Sequence, residues 1–312
     1  MTTDLTTAIG SVVLPNPVMT ASGTAGHGAE LAPYVDLGSL GAVVVKSLSA
    51  GAWAGNPALR VHETAAGMIN SVGLQGPGIE AWLEHDLPAL VAAGARVVAS
   101  IWGRSIAEYE AAATLLADAP ACVVAVEVNL SCPNTEAARD LFAHSEAATR
   151  DAMEATAACG RPRWAKLSPN VTDLVPIAVA ARAGGAEAVT LVNTVLGMAI
   201  DPETGAYRLG SGERGGGLSG PAIHPVAVRA VHDVHAALPD LPIVGVGGVV
   251  TGEDAAELVL AGASAVQVGT ATFADPRAPA RVLAELEAWL HRTGRREIRA
   301  NVGMTHRRDA SE

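Results

Sequence analysis

Where the strand-like run VEVNLSCPN (126–134) stops, the chain places Asn129, Cys132 and Asn134 within six residues. A thiolate there is a competent general base near neutral pH when neighbouring positive charge favours it. The competing role, nucleophile, calls for a partnering His, and no His stands among the strand-end residues. Cys122 and Cys159, in a strand approach and at a helix end, read as small core hydrophobes. Amides accompany the thiol: Asn70 in NSVGLQGPG (70–78), Asn129, Asn134 and Asn193. Each offers an NH2 and a carbonyl, which match the edges of a cyclic imide or amide ring. One loop Asn is an ordinary turn former, but four on segments that share one mouth argue for ligand binding. Of 21 basic side chains only Lys46 and Lys166 are lysines, and both close apolar runs, where a compact ammonium on a flexible stem is needed in place of a planar fork.

A phosphate site is legible beside them. GVGGVVTGEDAAEL (245–258) runs from strand to Gly pair to helix start, and AVQVGTATF (265–273) repeats the device with Gly269 and Thr270. Backbone N–H groups at such turns approach a phosphate closely because glycine has no side chain. Ordinary tight turns remain the alternative at this point. GSGERG (210–215) matches G-x-G-x-x-G but follows a polar turn and opens no apolar helix, so no dinucleotide fold is expected from it. The histidines lack metal-ligand spacing, and no metal site is expected.

These residues must be positioned by something regular. Eight short apolar runs end in them: 17–23, 42–47, 97–103, 125–131, 164–169, 188–194, 242–248 and 265–270. Continuous apolar strands alternating with Ala-rich helical segments argue for a parallel sheet buried on both faces. Eight such units, with no composition break, predict an α/β fold of the closed (β/α)8 barrel type, with sites at the C-terminal mouth. Ser22, Lys46, Ser100, Asn129, Lys166, Asn193, Thr194, Gly247, Gly248, Gly269 and Thr270 then share that mouth. Two long connections, 48–77 and 195–222, are expected over it. The set describes a planar, electron-rich anion with a phosphate alongside.

The bulk properties agree. The chain has 312 residues, 49% of them hydrophobic, and a mean hydropathy of +0.29, with no apolar run of the roughly 18 residues a membrane helix needs. A formal net charge of −11 argues against nucleic acid and anionic membrane surfaces as partners. The N-terminal MTTDLTTAIG has neither a basic residue nor an apolar block, and three cysteines without CxxC spacing suit a reducing cytoplasm.

NPVMTASGT (16–24), VVVKS (43–47), NSVGLQ (70–75), NLSCPN (129–134), KLSPN (166–170), NTVLGMAID (193–201), GGLSGPA (216–222), GVGG (245–248) and VGTA (268–271) together resemble the class 1 dihydroorotate dehydrogenases. The similarity is nearest to the catalytic subunit of the NAD-linked type. It covers the chain to about residue 290, making one barrel domain of 1–290 and leaving 291–312 as a polar C-terminal tail. The resemblance implies FMN held by Ser22, Lys46, Ser47, Ser100, Asn129, Lys166, Val192, Gly220, Gly247, Gly248, Gly269 and Thr270. It implies dihydroorotate bound by Lys46, Asn70, Val72, Gly73, Leu74, Asn129, Asn134, Asn193 and Thr194. Cys132 would take the C5 proton while C6 gives hydride to the flavin. Two positions depart from the family pattern: Ser100 stands where the family has Asn, and the 135–145 loop lacks the usual Gly pair.

For the NAD-linked type the resemblance implies a homodimer carrying a second subunit with FAD and an iron–sulfur cluster, a heterotetramer in all. The alternatives are the fumarate-linked homodimeric type and a related flavin dehydrogenase of dihydropyrimidines. A more distant one is a barrel isomerase or aldolase using Lys46 or Lys166 as a Schiff base. The membrane-bound class uses a Ser base and an N-terminal extension, which Cys132 and the short N-terminus argue against.

Overall fold

The computed structural model describes residues 3–131 and 142–309. Eight parallel strands form its centre: β1 (Val18–Thr20), β2 (Val43–Val44), β3 (Val97–Ile101), β4 (Val123–Asn129), β5 (Arg163–Lys166), β6 (Ala188–Leu191), β7 (Ile243–Val246) and β8 (Ala265–Val268). From β2 to β8 each strand pairs with the next, and β8 pairs with β1. A parallel bridge between Met19 and Ala42 joins β1 to the approach of β2, so the eight strands form a nearly closed (β/α)8 barrel.

The expected alternation with helices holds over most of the chain. Among the described residues the α-helices longer than three residues are α1 (Leu87–Ala92), α2 (Ile106–Leu115), α3 (Glu146–Ala155), α4 (Val175–Ala183), α5 (His224–Ala237), α6 (Gly252–Ala261), α7 (Ala271–Ala274), α8 (Ala278–Arg292) and α9 (Met304–Asp309). Between β1 and β2 the described helix is a single 3-10 turn, Leu37–Ser39, capped by the Asp36 side chain. Side-chain caps start α2 and α6 among these helices. Ser105 accepts from the Glu108 N–H at α2, and Thr251 forms a capping box with Asp254 at α6.

Side chains alternate across each strand, which explains how apolar strands carry polar chemistry. One inward residue per strand, Met19, Val44, Val98, Ala125, Trp164, Ala188, Val244 and Ala265, packs into a single apolar layer. Ile9, Val12 and Leu14 of the N-terminal hairpin (Thr7–Ile9 with Val12–Leu14) join that layer. Outward residues such as Val97, Val126 and Val189 pack in the larger cluster with the helices. Two residues further along, at the same inward parity, six of the eight strands carry Lys46, Ser100, Glu127, Lys166, Thr190 and Gln267, while the other two carry Ala21 and Val246.

The long connections do more than cross the mouth. Val61–Thr64, Gly67–Asn70, Val195–Gly197 and Gly216–Ser219 form a four-stranded antiparallel sheet drawn from both of them. Glycine permits that pairing: a Cβ on Gly216 would lie 2.4 Å from the Asn70 carbonyl oxygen, and one on Gly217 2.0 Å from Thr194 Oγ1. Beyond α8 the chain returns to the barrel. Glu297 bridges Asp4, Ile298 is buried, and the Gly303 N–H donates to the Val259 carbonyl of α6 at 3.0 Å. Among the described residues no helix is long and apolar enough to cross a membrane.

Candidate active site

A cavity of about 570 Å³ opens at the C-terminal mouth, within the range of small-molecule and cofactor sites. It gathers residues from every strand end. Ser22, Lys46, Ser47, Asn129 and Lys166 line it, as do Val192, Asn193, Thr194, Gly247, Gly248, Gly269 and Thr270. Asn70, Val72, Gly73 and Leu74 reach it from the first long connection and Gly220 from the second. Ser100 is fully buried and lies behind this surface, its Oγ 2.9 Å from that of Ser47. Cys132 and Asn134 lie outside the described residues.

Asn129 is the hub of the amide cluster. Its Oδ1 accepts from Asn193 Nδ2 at 3.2 Å and from the Ser131 N–H at 3.2 Å, and its Nδ2 donates to Ser47 Oγ at 3.3 Å. Tyr109 of α2 donates to the Asn129 carbonyl at 2.7 Å, which ties the strand end to the helix behind it. Ser47 continues the hydrogen-bonded string to Ser22, with Oγ atoms 3.0 Å apart. Gly73 and Leu74 both adopt left-handed backbone, φ 74° and 60°. Such a conformation costs on the order of 1–3 kcal/mol in a residue like Leu74, and such strain clusters at functional sites.

Beneath the cavity floor a charged layer replaces the apolar one. Lys166 Nζ lies 3.3 Å from Glu127 Oε1, while Glu127 Oε2 accepts from Gln267 Nε2 at 2.7 Å and from Thr190 Oγ1 at 3.1 Å. Sequence reasoning passed over Glu127, although a carboxylate inside an otherwise apolar strand was a usable signal. The mouth also carries Trp53, Trp102 and Arg104, which that reading did not single out. The Arg104 guanidinium lies 4.4 Å over the Trp53 ring, and Trp53 Nε1 donates to the Gly73 carbonyl at 2.9 Å. The hydrogen bond from Arg104 holds the Glu108 carboxyl below the usual carboxylate range, so the pair is charged at neutral pH. Burial, helped by the nearby Lys46 charge, holds His27 below its ordinary value. Burial pushes the Cys159 thiol up, which fits a core role.

At the opposite wall the Gly-rich turns are held from outside. His224 Nδ1 bonds the Gly247 carbonyl at 2.8 Å while its Nε2 meets Glu257 at 3.2 Å. The N–H groups of Gly248 and Thr270 bond to no other described residue, and both residues line the cavity. Two orphan donors on one wall of a cavity that also holds Lys46 and Lys166 are groups that could bind an anion.

The family model described as dihydroorotate dehydrogenase matches residues 4–290. The catalytic subunit of dihydroorotate dehydrogenase B (NAD(+)) from Desulforudis audaxviator (strain MP104C) is 48% identical over 301 residues, covering 96% of this chain and 97% of that protein. The same-named subunit from Alkaliphilus metalliredigens (strain QYMF) is 46% identical, over 93% and 95% of the two chains. A putative dihydroorotate dehydrogenase A (fumarate) from Solibacter usitatus (strain Ellin6076) is 46% identical, over 97% and 99%. A cavity at the mouth of a (β/α)8 barrel, floored by a lysine and walled by amides, is thus found in a chain that belongs to the dihydroorotate dehydrogenase family.

Proposed function

We propose that this chain is the catalytic subunit of an NAD-linked dihydroorotate dehydrogenase, oxidising dihydroorotate to orotate in pyrimidine biosynthesis with FMN as its resident cofactor. The observation that carries the reading is the joint placement of Lys46, Lys166 and the Asn70, Asn129 and Asn193 amides around one cavity whose far wall is the Gly248 and Thr270 turn. Those residues fit FMN. Gly247, Gly248, Gly269 and Thr270 would hold its phosphate, and Ser22, Ser47, Asn129, Val192 and Lys166 would line its ring, with Ser100 supporting Ser47 from behind. When bound, the flavin supplies the hydride acceptor.

The chain's own residues do the rest. The carbonyl and NH2 groups of Asn70, Asn129, Asn134 and Asn193 match the donor and acceptor edge of a cyclic amide, and Lys46 offsets the charge of the substrate carboxylate. Val72, Gly73, Leu74 and Thr194 shape the remaining wall. Cys132 Sγ removes the C5 proton as general base. The apolar layer below and the small sheet above limit water in the cavity, which strengthens the interactions inside it.

The NAD-linked reading is preferred to the fumarate-linked one because several near full-length relatives carry the NAD-linked name, each as a catalytic subunit. A catalytic subunit implies a separate electron-transfer subunit. On this reading that partner brings FAD and an iron–sulfur cluster, and a homodimer of this chain carries two copies of it in the cytoplasm.

Anaerobic titration of the purified protein with dihydroorotate tests the assignment. Flavin absorbance should bleach stoichiometrically, and a colourless protein, or a yellow one that dihydroorotate leaves unchanged, overturns it. Direct reoxidation by fumarate would move the assignment to the other type. Cys132→Ala should keep FMN and lose turnover by a factor of about 100 or more, as expected for a general base; undiminished turnover removes the base assignment.

A further inference from the structure

The polar layer under the cavity contains a carboxylate to which the reaction above gives no role. Glu127 is fully buried and does not line the cavity, whereas Lys166 lines it with a side chain 6% exposed. Glu127 is tied to three other strands: β5 through Lys166 at 3.3 Å, β6 through Thr190 at 3.1 Å and β8 through Gln267 at 2.7 Å. Gln267 turns its NH2 to the carboxylate and leaves its own Oε1 without a partner. Its amide is spent on fixing Glu127.

Stability does not account for this layer. A buried carboxylate must be paired and hydrogen-bonded, and a buried ion pair is often no more stabilising than well-packed apolar side chains. The same strands supply that comparison: two residues earlier, at the same inward parity, they carry Ala125, Trp164, Ala188 and Ala265, all in the apolar layer. Charge begins only where the cavity begins.

We propose that Glu127 is a positioning residue for the redox cofactor: it fixes the Lys166 ammonium at the cavity floor and offsets its charge, and so sets how strongly the site prefers reduced over oxidised flavin. The inference rests on the flavin reading. In a weakly screened interior, a negative ring in the cavity is attracted by the nearer lysine and repelled by the carboxylate behind it. Glu127 therefore moderates the pull of Lys166, and Gln267, by holding one carboxylate oxygen, limits how far Glu127 turns to the lysine.

The test is the ratio of FMN dissociation constants, oxidised over reduced, obtained from the free and bound flavin midpoint potentials by dye equilibration. Glu127→Gln should raise that ratio at least tenfold, about 30 mV upward for a two-electron couple. Gln267→Met removes the carboxylate's anchor while keeping both charges, and should lower the ratio at least threefold as Glu127 turns to Lys166. A purely structural role predicts neither the size nor the opposite signs. Smaller changes, or changes of the same sign, overturn the proposal. Should Glu127→Gln fail to fold, Gln267→Met decides alone: a fall of threefold or more supports it, and anything less sinks it. Wild-type protein that takes up no FMN would instead strike the flavin reading itself, while wild type that binds FMN beside unresponsive variants removes only the role of Glu127.

Discussion

Asn129 shows how much a single side chain is asked to do. It accepts from Asn193, donates to Ser47 and is held through its carbonyl by Tyr109, whose ring packs edge-on against Phe142 at 5.1 Å between centroids. Tyr109 is fully buried, so removing its hydroxyl leaves the Asn129 carbonyl short of a donor that water cannot replace. Tyr109→Phe should cost about 1–3 kcal/mol. The check is a denaturant titration in which the midpoint falls and the slope stays constant. The substitution should also weaken dihydroorotate binding, because the Asn129 strand end loses its brace; unchanged midpoint and affinity would refute the arrangement. At this scale Asn129 was legible from its place at the end of an apolar strand. Its link to Tyr109 was not, because the two meet only when α2 packs on the barrel. Cys132, expected from its type and place to be the base, lies outside the described residues.

Among the elements, the turn from β7 to α6 is built for closeness. Gly248 has φ +69°, and a Cβ there would lie 2.7 Å from His224 Cβ and 2.8 Å from the Gly220 carbonyl oxygen. Gly248→Ala therefore adds a left-handed backbone cost of about 1–2 kcal/mol and pushes the turn towards the cavity. Flavin fluorescence titration should show FMN bound at least tenfold more weakly, with a lower melting temperature. Wild-type affinity in that variant would count against the turn as the phosphate cradle. The Gly pair and the capping residue Thr251 could be read directly, since both act locally. The four-stranded sheet over the mouth could not: its strands come from connections far apart in the chain, and runs such as GGLS carry no strand propensity.

For the molecule as a whole, the described residues beyond α8 matter through where they land. The His235 ring sits against Gly262 and Gly303, where an added Cβ would come within 2.4 Å of its Cβ and 2.2 Å of its Nε2. His306 of α9 stacks on His232 at 4.2 Å and meets His235 at 5.0 Å. Burial foremost, then the charges of His306, Arg307 and His232, hold the His235 imidazole below its ordinary value. The unfolded chain then binds more protons than the folded one once the pH drops below the unfolded His value of about 6.5. The stability His235 contributes is fully present above that value and is lost as the pH falls through its lowered folded value. His27 adds to the same loss. Melting temperature should decline from about pH 6.5 downward, and more gently in His235→Asn; a variant as acid-sensitive as the wild type would exclude His235 as a source.

The amino-acid sequence alone determined the eight strands, their closure into a barrel and most of the mouth residues. Each of these follows from local pattern: continuous apolar runs, the Ala-rich helical segments between them, and polar or glycine residues at run ends. Tertiary structure alone decided which residues face one another. The Lys166–Glu127–Gln267 layer, the retreat of Ser100 behind Ser47 and the docking of Ile298 join positions tens to hundreds of residues apart. Periodicity sets which side of a strand a residue faces. Which neighbour lies across the barrel depends on register, and register exists only once the ring has closed.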